Sequence, residues 1–149
     1  MTKRMLIDAS HPEETRVVVL DGNRVEEFDL ETATLKLALA TSSYTPNRDT
    51  HDFRDDVTNE VTGTGYSAGG KVIPVSVGAV DTTNDRVVVT IGPVDWASST
   101  ITARKMVVYK RRGGAASADE LLFVNDFGSD VISANGTFTV AANTITIQN

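Results

Sequence analysis

Cysteine is absent from the 149 residues. That excludes disulfides, thiolate catalysis and cysteine-ligated zinc, and it leaves the redox compartment open. Long apolar runs are missing as well, since none approaches the roughly 18–20 residues of a membrane helix. The opening Met1-Thr2-Lys3-Arg4-Met5-Leu6-Ile7-Asp8 carries two cations, but Asp8 interrupts the apolar stretch too early for a secretory signal. Aromatic residues are only 6%, and Tyr44, Tyr66 and Tyr109 do not interleave with a basic stripe, so stacking on single-stranded nucleic acid has little support. The formal net charge of -6 argues against direct nucleic-acid binding, whose affinity comes mainly from cations on phosphates. One local basic cluster, Arg104-Lys105 with Lys110-Arg111-Arg112, reads either as a solvated strand end or as a contact for an acidic partner surface.

What is present is threonine and valine at short intervals, broken by turn residues every several positions, the pattern of many short strands. Thr15–Leu20 and Arg24–Phe28 flank Asp21-Gly22-Asn23, where Asp-Gly supplies the positive φ of a tight hairpin, and Lys3–Asp8 adds a third strand. Thr34–Thr41 alternates, placing Leu35, Leu37 and Leu39 on one face of a half-buried strand. Asp52–Val57 reads as a single helical turn capped by Asp52 or Thr50. Lys71–Val77 is a strand in which Pro74 marks an edge or bulge, and Asp85–Ile91 is a strand stopped by Gly92-Pro93.

Trp96 is expected as a packing anchor in a segment crossing the core. Ser99–Tyr109 is a long strand with Ile101, Ala103, Lys105, Val107 and Tyr109 on one side. After a loop at 111–117, Leu121–Phe127 returns as a strand and Gly128–Gly136 turns. Thr137–Val140 and Thr144–Ile147 then form a final hairpin. The predicted fold is all-β: an antiparallel sandwich or partly closed barrel with an N-terminal β-hairpin.

Candidate chemistry is sparse. The two histidines, His11 and His51, both lie near acids. His51-Asp52 with Asp55 and Asp56 offers oxygen ligands of the kind calcium or magnesium takes, but at no recognised loop spacing and with no glycine where a calcium-binding turn wants one, so it reads as a capped, solvated loop. Gly63-Thr64-Gly65-Tyr66 resembles the start of a phosphate loop without the following lysine or the helix that would receive the anion, so it reads as a turn. No serine sits in Gly-x-Ser-x-Gly. No catalytic, cofactor-binding or metal-ligating residue is assigned, no cofactor is expected, and the chain reads as non-enzymatic.

Two resemblances extend this reading. From about Asp29 onward the chain resembles a family of small structural proteins of tailed phages and prophages. It does so through Thr34–Asn47, His51-Asp52-Phe53 and Asn59–Tyr66, then Asp95-Trp96-Ala97 with Ser99–Arg104, Val108-Tyr109-Lys110, Asp126–Asp130 and Asn135–Phe138, in fixed order over roughly four-fifths of the chain. Lys3–Ala9, Glu13–Val19 and Asp21–Asp29 resemble the extreme N-terminus of bacterial ribonuclease E. That enzyme's RNA-binding barrel and catalytic carboxylates lie further along, so no catalytic residue is carried over.

The resemblances divide the chain into an N-terminal hairpin segment or arm, 1–31, and an all-β phage structural domain, 32–149. They imply a virion component made in the bacterial host cytoplasm. Its most natural role is a capsid decoration or cement protein on the head surface, self-associating as a homotrimer and touching the major capsid protein, with no membrane contact. The alternatives are a tail or head–tail junction protein, or a decoy of host ribonuclease E.

Overall fold

A computed structural model describes residues 4–11, 14–21, 24–29 and 34–148, with side chains described from Thr34 onward. Ten strands follow one another. They are β1 (Arg4–His11), β2 (Glu14–Asp21), β3 (Arg24–Asp29), β4 (Leu35–Ala40), β5 (Lys71–Val72), β6 (Val75–Val77), β7 (Arg86–Ile91), β8 (Val94–Lys110), β9 (Leu121–Val140) and β10 (Asn143–Gln148). Short 3₁₀ turns at Arg54–Asp56 and Ala116–Ala118 are the only helical elements among the described residues. All pairings are antiparallel, in three sheets ordered β1-β2-β3, β10-β7-β6 and β5-β4-β8-β9. The all-β, antiparallel expectation holds.

The contacts group the chain into two units. One comprises Met1–Ala33, Pro74–Gly92 and Ala142–Asn149, the other Thr34–Ile73 and Pro93–Ala141. In the first unit β2 pairs with both β1 and β3, so the expected N-terminal hairpin is two-thirds of a three-stranded meander. Asp21 sits opposite Arg24, and Gly22 and Asn23 of the predicted turn lie outside the described residues.

The second sheet centres on β7, whose Val87, Val89 and Ile91 are buried. Strand β7 starts at Arg86 because Asp85 takes a φ of 48°, a turn conformation that ends pairing. The turn is held by the Asp81 carboxylate, which accepts hydrogen bonds from the Thr83 and Asn84 backbone, the Asn84 side chain and Arg86 Nε.

The second unit is built on β8. Trp96, Ser99, Ile101, Ala103, Lys105, Val107 and Tyr109 are buried on one face, and Met106 and Val108 are buried on the other. The alternation predicted for this strand is therefore correct, but at its C-terminal end both faces are covered. The same holds for β4, where Ala38 and Ala40 are as buried as Leu35, Leu37 and Leu39. The strand is covered on both sides from Leu37 onward, and its second face carries Ala38 and Ala40 beyond Lys36. Ala40 and Val107 pack with Tyr44, and Val57, Leu121 and Val124 lie against that cluster.

Four expectations need correction. Lys71–Val77 is two strands in two sheets: β5 pairs with β4, whereas β6, after Pro74, pairs with β7. Pro74 has no backbone N–H for a ladder, so it marks the change of sheet.

Gly128–Gly136 is not a turn, and Thr137–Val140 does not form a hairpin with the last strand. Strand β9 runs through to Val140 against β8, and β10 pairs with β7. The local turn signal is absorbed as a bulge. Between the pairs Ala103↔Val131 and Lys105↔Asp126, β8 contributes Arg104 alone while β9 contributes Phe127-Gly128-Ser129-Asp130. Gly128 has a φ of 85° and Asn135 one of 50°. Nearby, the Ser99 and Ser133 hydroxyls meet at 2.8 Å and Ser133 Oγ accepts the Ile101 N–H at 3.2 Å, which supplies partners where the ladder is irregular.

Trp96 likewise lies within β8, opposite Phe138, rather than in a connecting segment. It is buried as anticipated, between Tyr66 and Phe138 at ring distances of 5.8 and 6.1 Å.

Candidate functional site

The acidic segment around His51 is used for local structure. The turn is Arg54–Asp56 with Phe53 as its cap, not Asp52 or Thr50. The Asp56 carboxylate turns back and accepts the Asp52 and Phe53 N–H groups, both at 2.9 Å. These backbone donors hold the Asp56 carboxyl below its ordinary pKa. His51 stacks on Tyr44 and its Nδ1 lies 3.2 Å from the Tyr44 hydroxyl. Among the described residues no three His, Cys, Asp or Glu side chains are grouped as metal ligands would be. The His11 side chain lies outside the described part.

Gly63-Thr64-Gly65-Tyr66 is a turn, closed by the Tyr66 N–H on the Gly63 carbonyl at 3.2 Å. It rides directly on β8: Thr100 N–H donates to Thr64 O at 3.0 Å, and a Cβ on Gly63 would collide with the Thr100 carbonyl oxygen. That close approach requires glycine.

The turn delivers Tyr66 to the edge of β4 just beyond the end of β5. There the Leu39 N–H donates to the Tyr66 hydroxyl at 2.9 Å, and the Leu39 carbonyl accepts the Val61 N–H at 2.8 Å. The Tyr66 hydroxyl in turn donates to Glu60 Oε1 at 2.7 Å, and the same carboxylate oxygen accepts the Gly69 N–H. Burial drives the Tyr66 pKa strongly upward, and the hydrogen bond to Glu60 adds to it, so the phenol stays protonated.

The network continues into a second buried tyrosine. Tyr109 donates to the Gly69 carbonyl at 2.7 Å, and the Arg54 guanidinium stands 5.6 Å from the centre of the Tyr109 ring. Arg54 is placed there because residues 52–54 run beside 119–121, with Arg54 N–H on Asp119 O and Leu121 N–H on Asp52 O, both 2.9 Å. Lys36 pairs across from Tyr109 and projects from the same face of the sheet. Burial lowers the Lys36 pKa, and the Arg111 and Arg54 charges lower it further against a smaller opposing pull from Glu60 and Asp119. Gly69 reads in the sequence only as part of a Gly-Gly turn signal, and none of Lys36, Arg54 or Glu60 stands out as a site residue. The one available signal was a lysine on a face otherwise made of alanine.

The basic cluster is largely consumed within the chain. Arg104 and Lys105 both reach Asp126, Lys105 at 3.5 Å, and Arg112 forks onto Glu120. Asp126 also accepts the Gly128 N–H at 2.8 Å, so one carboxylate pins the base of the bulge. Arg104, Gly128 and Lys105 together bring the Asp126 pKa down to about 2. Arg104, Lys105 and Arg112 are thus paired within the chain and form no free basic patch, and Lys105 is buried rather than solvated.

Exposed large apolar side chains lie elsewhere: Val72 on β5, Val80, and an adjacent pair on β9. Val131 and Ile132 on β9 are 39% and 68% exposed, immediately beside the bulge, and β9 has no neighbour on its outer side among the described sheets.

Comparison with protein-family models, with curated proteins and with solved structures finds no match to this chain.

Proposed function

We propose that this chain is a non-enzymatic structural protein of a tailed-phage virion, a decoration or cement protein that stabilises the head shell. The ordered resemblance from Asp29 onward supports the class. The observation that supports the mode of action is the outer edge of β9, which beyond Leu121 has no strand beside it among the described sheets, with Val131 and Ile132 exposed on it. An unpaired edge offers a row of backbone donors and acceptors, to which an extended segment of another chain adds as a further strand. Polar side chains gathered by the fold, Glu60, Tyr66, Asp56 and Tyr109, have their hydrogen bonds taken up by the backbone or by each other. That use is structural.

A molecule that binds the assembled shell and not its separated subunits shifts the equilibrium toward the shell. Repetition over a lattice makes weak individual contacts sufficient, and association as a homotrimer would multiply them again.

The test is a comparison of particles with and without the protein. Particles that lack it are expected to break at lower temperature, and to regain resistance when the purified chain is added. A cryo-EM map should then show it repeated over the head, in contact with the major capsid protein. Density restricted to the tail, or unchanged heat resistance, rejects the cementing role.

A further inference from the structure

The most unusual electrostatic feature of the second unit surrounds Gly69. A Cβ built on this glycine would stand 3.2 Å from the Tyr109 hydroxyl, 3.3 Å from Arg54 Nη2 and 3.4 Å from Lys36 Nζ. Groups from β8, from the 3₁₀ turn and from β4 therefore converge on one spot above a backbone position that has no side chain. Gly69 also has a φ of 83°, which favours glycine independently.

Two of the three groups are cations, and neither has an ion-pair partner among the described residues. Arg54 Nε is buried with no hydrogen-bond partner. The nearby acids turn to neutral donors rather than to either cation: Glu60 accepts from the Tyr66 hydroxyl and the Gly69 N–H, and Asp119 accepts the Arg112 backbone N–H at 2.8 Å. Arg111 adds a third positive charge to the field at Lys36. Tyr109 spends its one hydroxyl hydrogen on the Gly69 carbonyl, so it fixes the floor and carries the Arg54 guanidinium on its ring.

Like charges held this close, with unspent donors, call for an anion between them. A guanidinium fork beside an ammonium suits a tetrahedral oxyanion, which accepts from both at once. We propose that Lys36 and Arg54, positioned by Tyr109 and Gly69, form a binding niche for a small inorganic oxyanion, phosphate or sulfate.

The experiment uses the full chain and inorganic phosphate, with chloride as the control at equal ionic strength. Thermal unfolding should shift upward with phosphate, rising with the logarithm of its concentration once that exceeds the dissociation constant. Lys36→Met should weaken the apparent affinity about tenfold or more, as loss of a charged hydrogen-bond donor implies. Arg104→Gln, remote from the niche in its pairing with Asp126, should keep the full response. A rise linear in phosphate concentration that persists unchanged in Lys36→Met is general salt exclusion from the surface, and it overturns the site. If Lys36→Met does not fold, the decision passes to the unmodified chain. The Arg54 Nε–Hε signal in a ¹⁵N NMR titration should move saturably with phosphate, and a signal that stays in place overturns the niche.

Discussion

The Tyr66 hydroxyl donates to Glu60 at 2.7 Å while it accepts the amide hydrogen of Leu39, so a phenol, beside the Val61 N–H on the Leu39 carbonyl, completes the edge of β4 where strand β5 has run out. Sheets ordinarily satisfy such an edge with another strand. Here a side chain carried in by the Gly63–Tyr66 turn does so, and its acidic partner also holds the Gly69 backbone.

Tyr66→Phe keeps the ring against Trp96 and removes only the hydroxyl. It strands the Leu39 N–H and takes away one donor from Glu60, which should cost about 1–3 kcal/mol for a buried group left unpaired. Urea unfolding monitored by Trp96 fluorescence measures it. A midpoint equal to that of the unmodified protein would show that water replaces the phenol without loss.

Gly63→Ala tests the seating of the same turn on β8. The new Cβ meets the Thr100 carbonyl oxygen, which is backbone and cannot rotate away. Overpacking of this kind should destabilise by about 1–3 kcal/mol. Gly114→Ala is the control, since nothing stands within 4 Å of a Cβ there. Equal stability of the two variants would mean that the turn is free to lift off the strand.

Stability should fall in acid through identifiable carboxylates. Asp126 has its pKa lowered from 3.8 to about 2 in the folded chain by Arg104, the Gly128 N–H and Lys105. A folded pKa below the unfolded one gives stabilisation that is complete above the unfolded value and is lost as pH falls through the folded one. The window for Asp126 therefore runs from just above pH 3.8 down to about 2. Glu120 is shifted the same way by Arg112, and Asp81 by Asn84 and Arg86. Denaturation midpoints should drop across that window, and Asp126→Asn should flatten the drop. An unchanged pH profile in Asp126→Asn would remove this carboxylate from the account.

The parts of the fold that were legible in the sequence are those set by side-chain alternation. The faces of β8 follow from Ile101, Ala103, Lys105, Val107 and Tyr109, and β4 follows from its leucines. Partner choice was not legible, because pairing is a property of residues far apart. Gly128 and Asn135 look locally like punctuation, yet a ladder between the 17 residues of β8 and the 20 of β9 leaves room for a bulge to absorb them. The same non-locality hid the cluster at Gly69. Lys36, Arg54, Glu60 and Tyr109 stand on four separated stretches, and no motif spacing joins them. His51 and its neighbouring acids formed a visible motif and proved to be a cap and a stacked ring.

The outer side of β9 makes the strongest demand on the proposed role. Ile132 is 68% exposed, so Ile132→Lys should change folding stability by no more than about 0.5 kcal/mol. A lysine on an edge strand, however, is one of the devices by which proteins stop strands from adding. If the edge receives a segment of the shell or of a second copy, the variant should remain folded by circular dichroism and urea unfolding, yet bind poorly to particles stripped of the native protein. Thr139→Lys, also on β9 and exposed but opposite Asp95 near the far end of the strand, should bind normally and so separates a local effect from added charge. Occupancy on stripped particles can be read by quantitative gel densitometry after sedimentation. Full occupancy by Ile132→Lys would mean that contact with the shell is made through some other surface, and the β9 edge would lose its place in the mechanism.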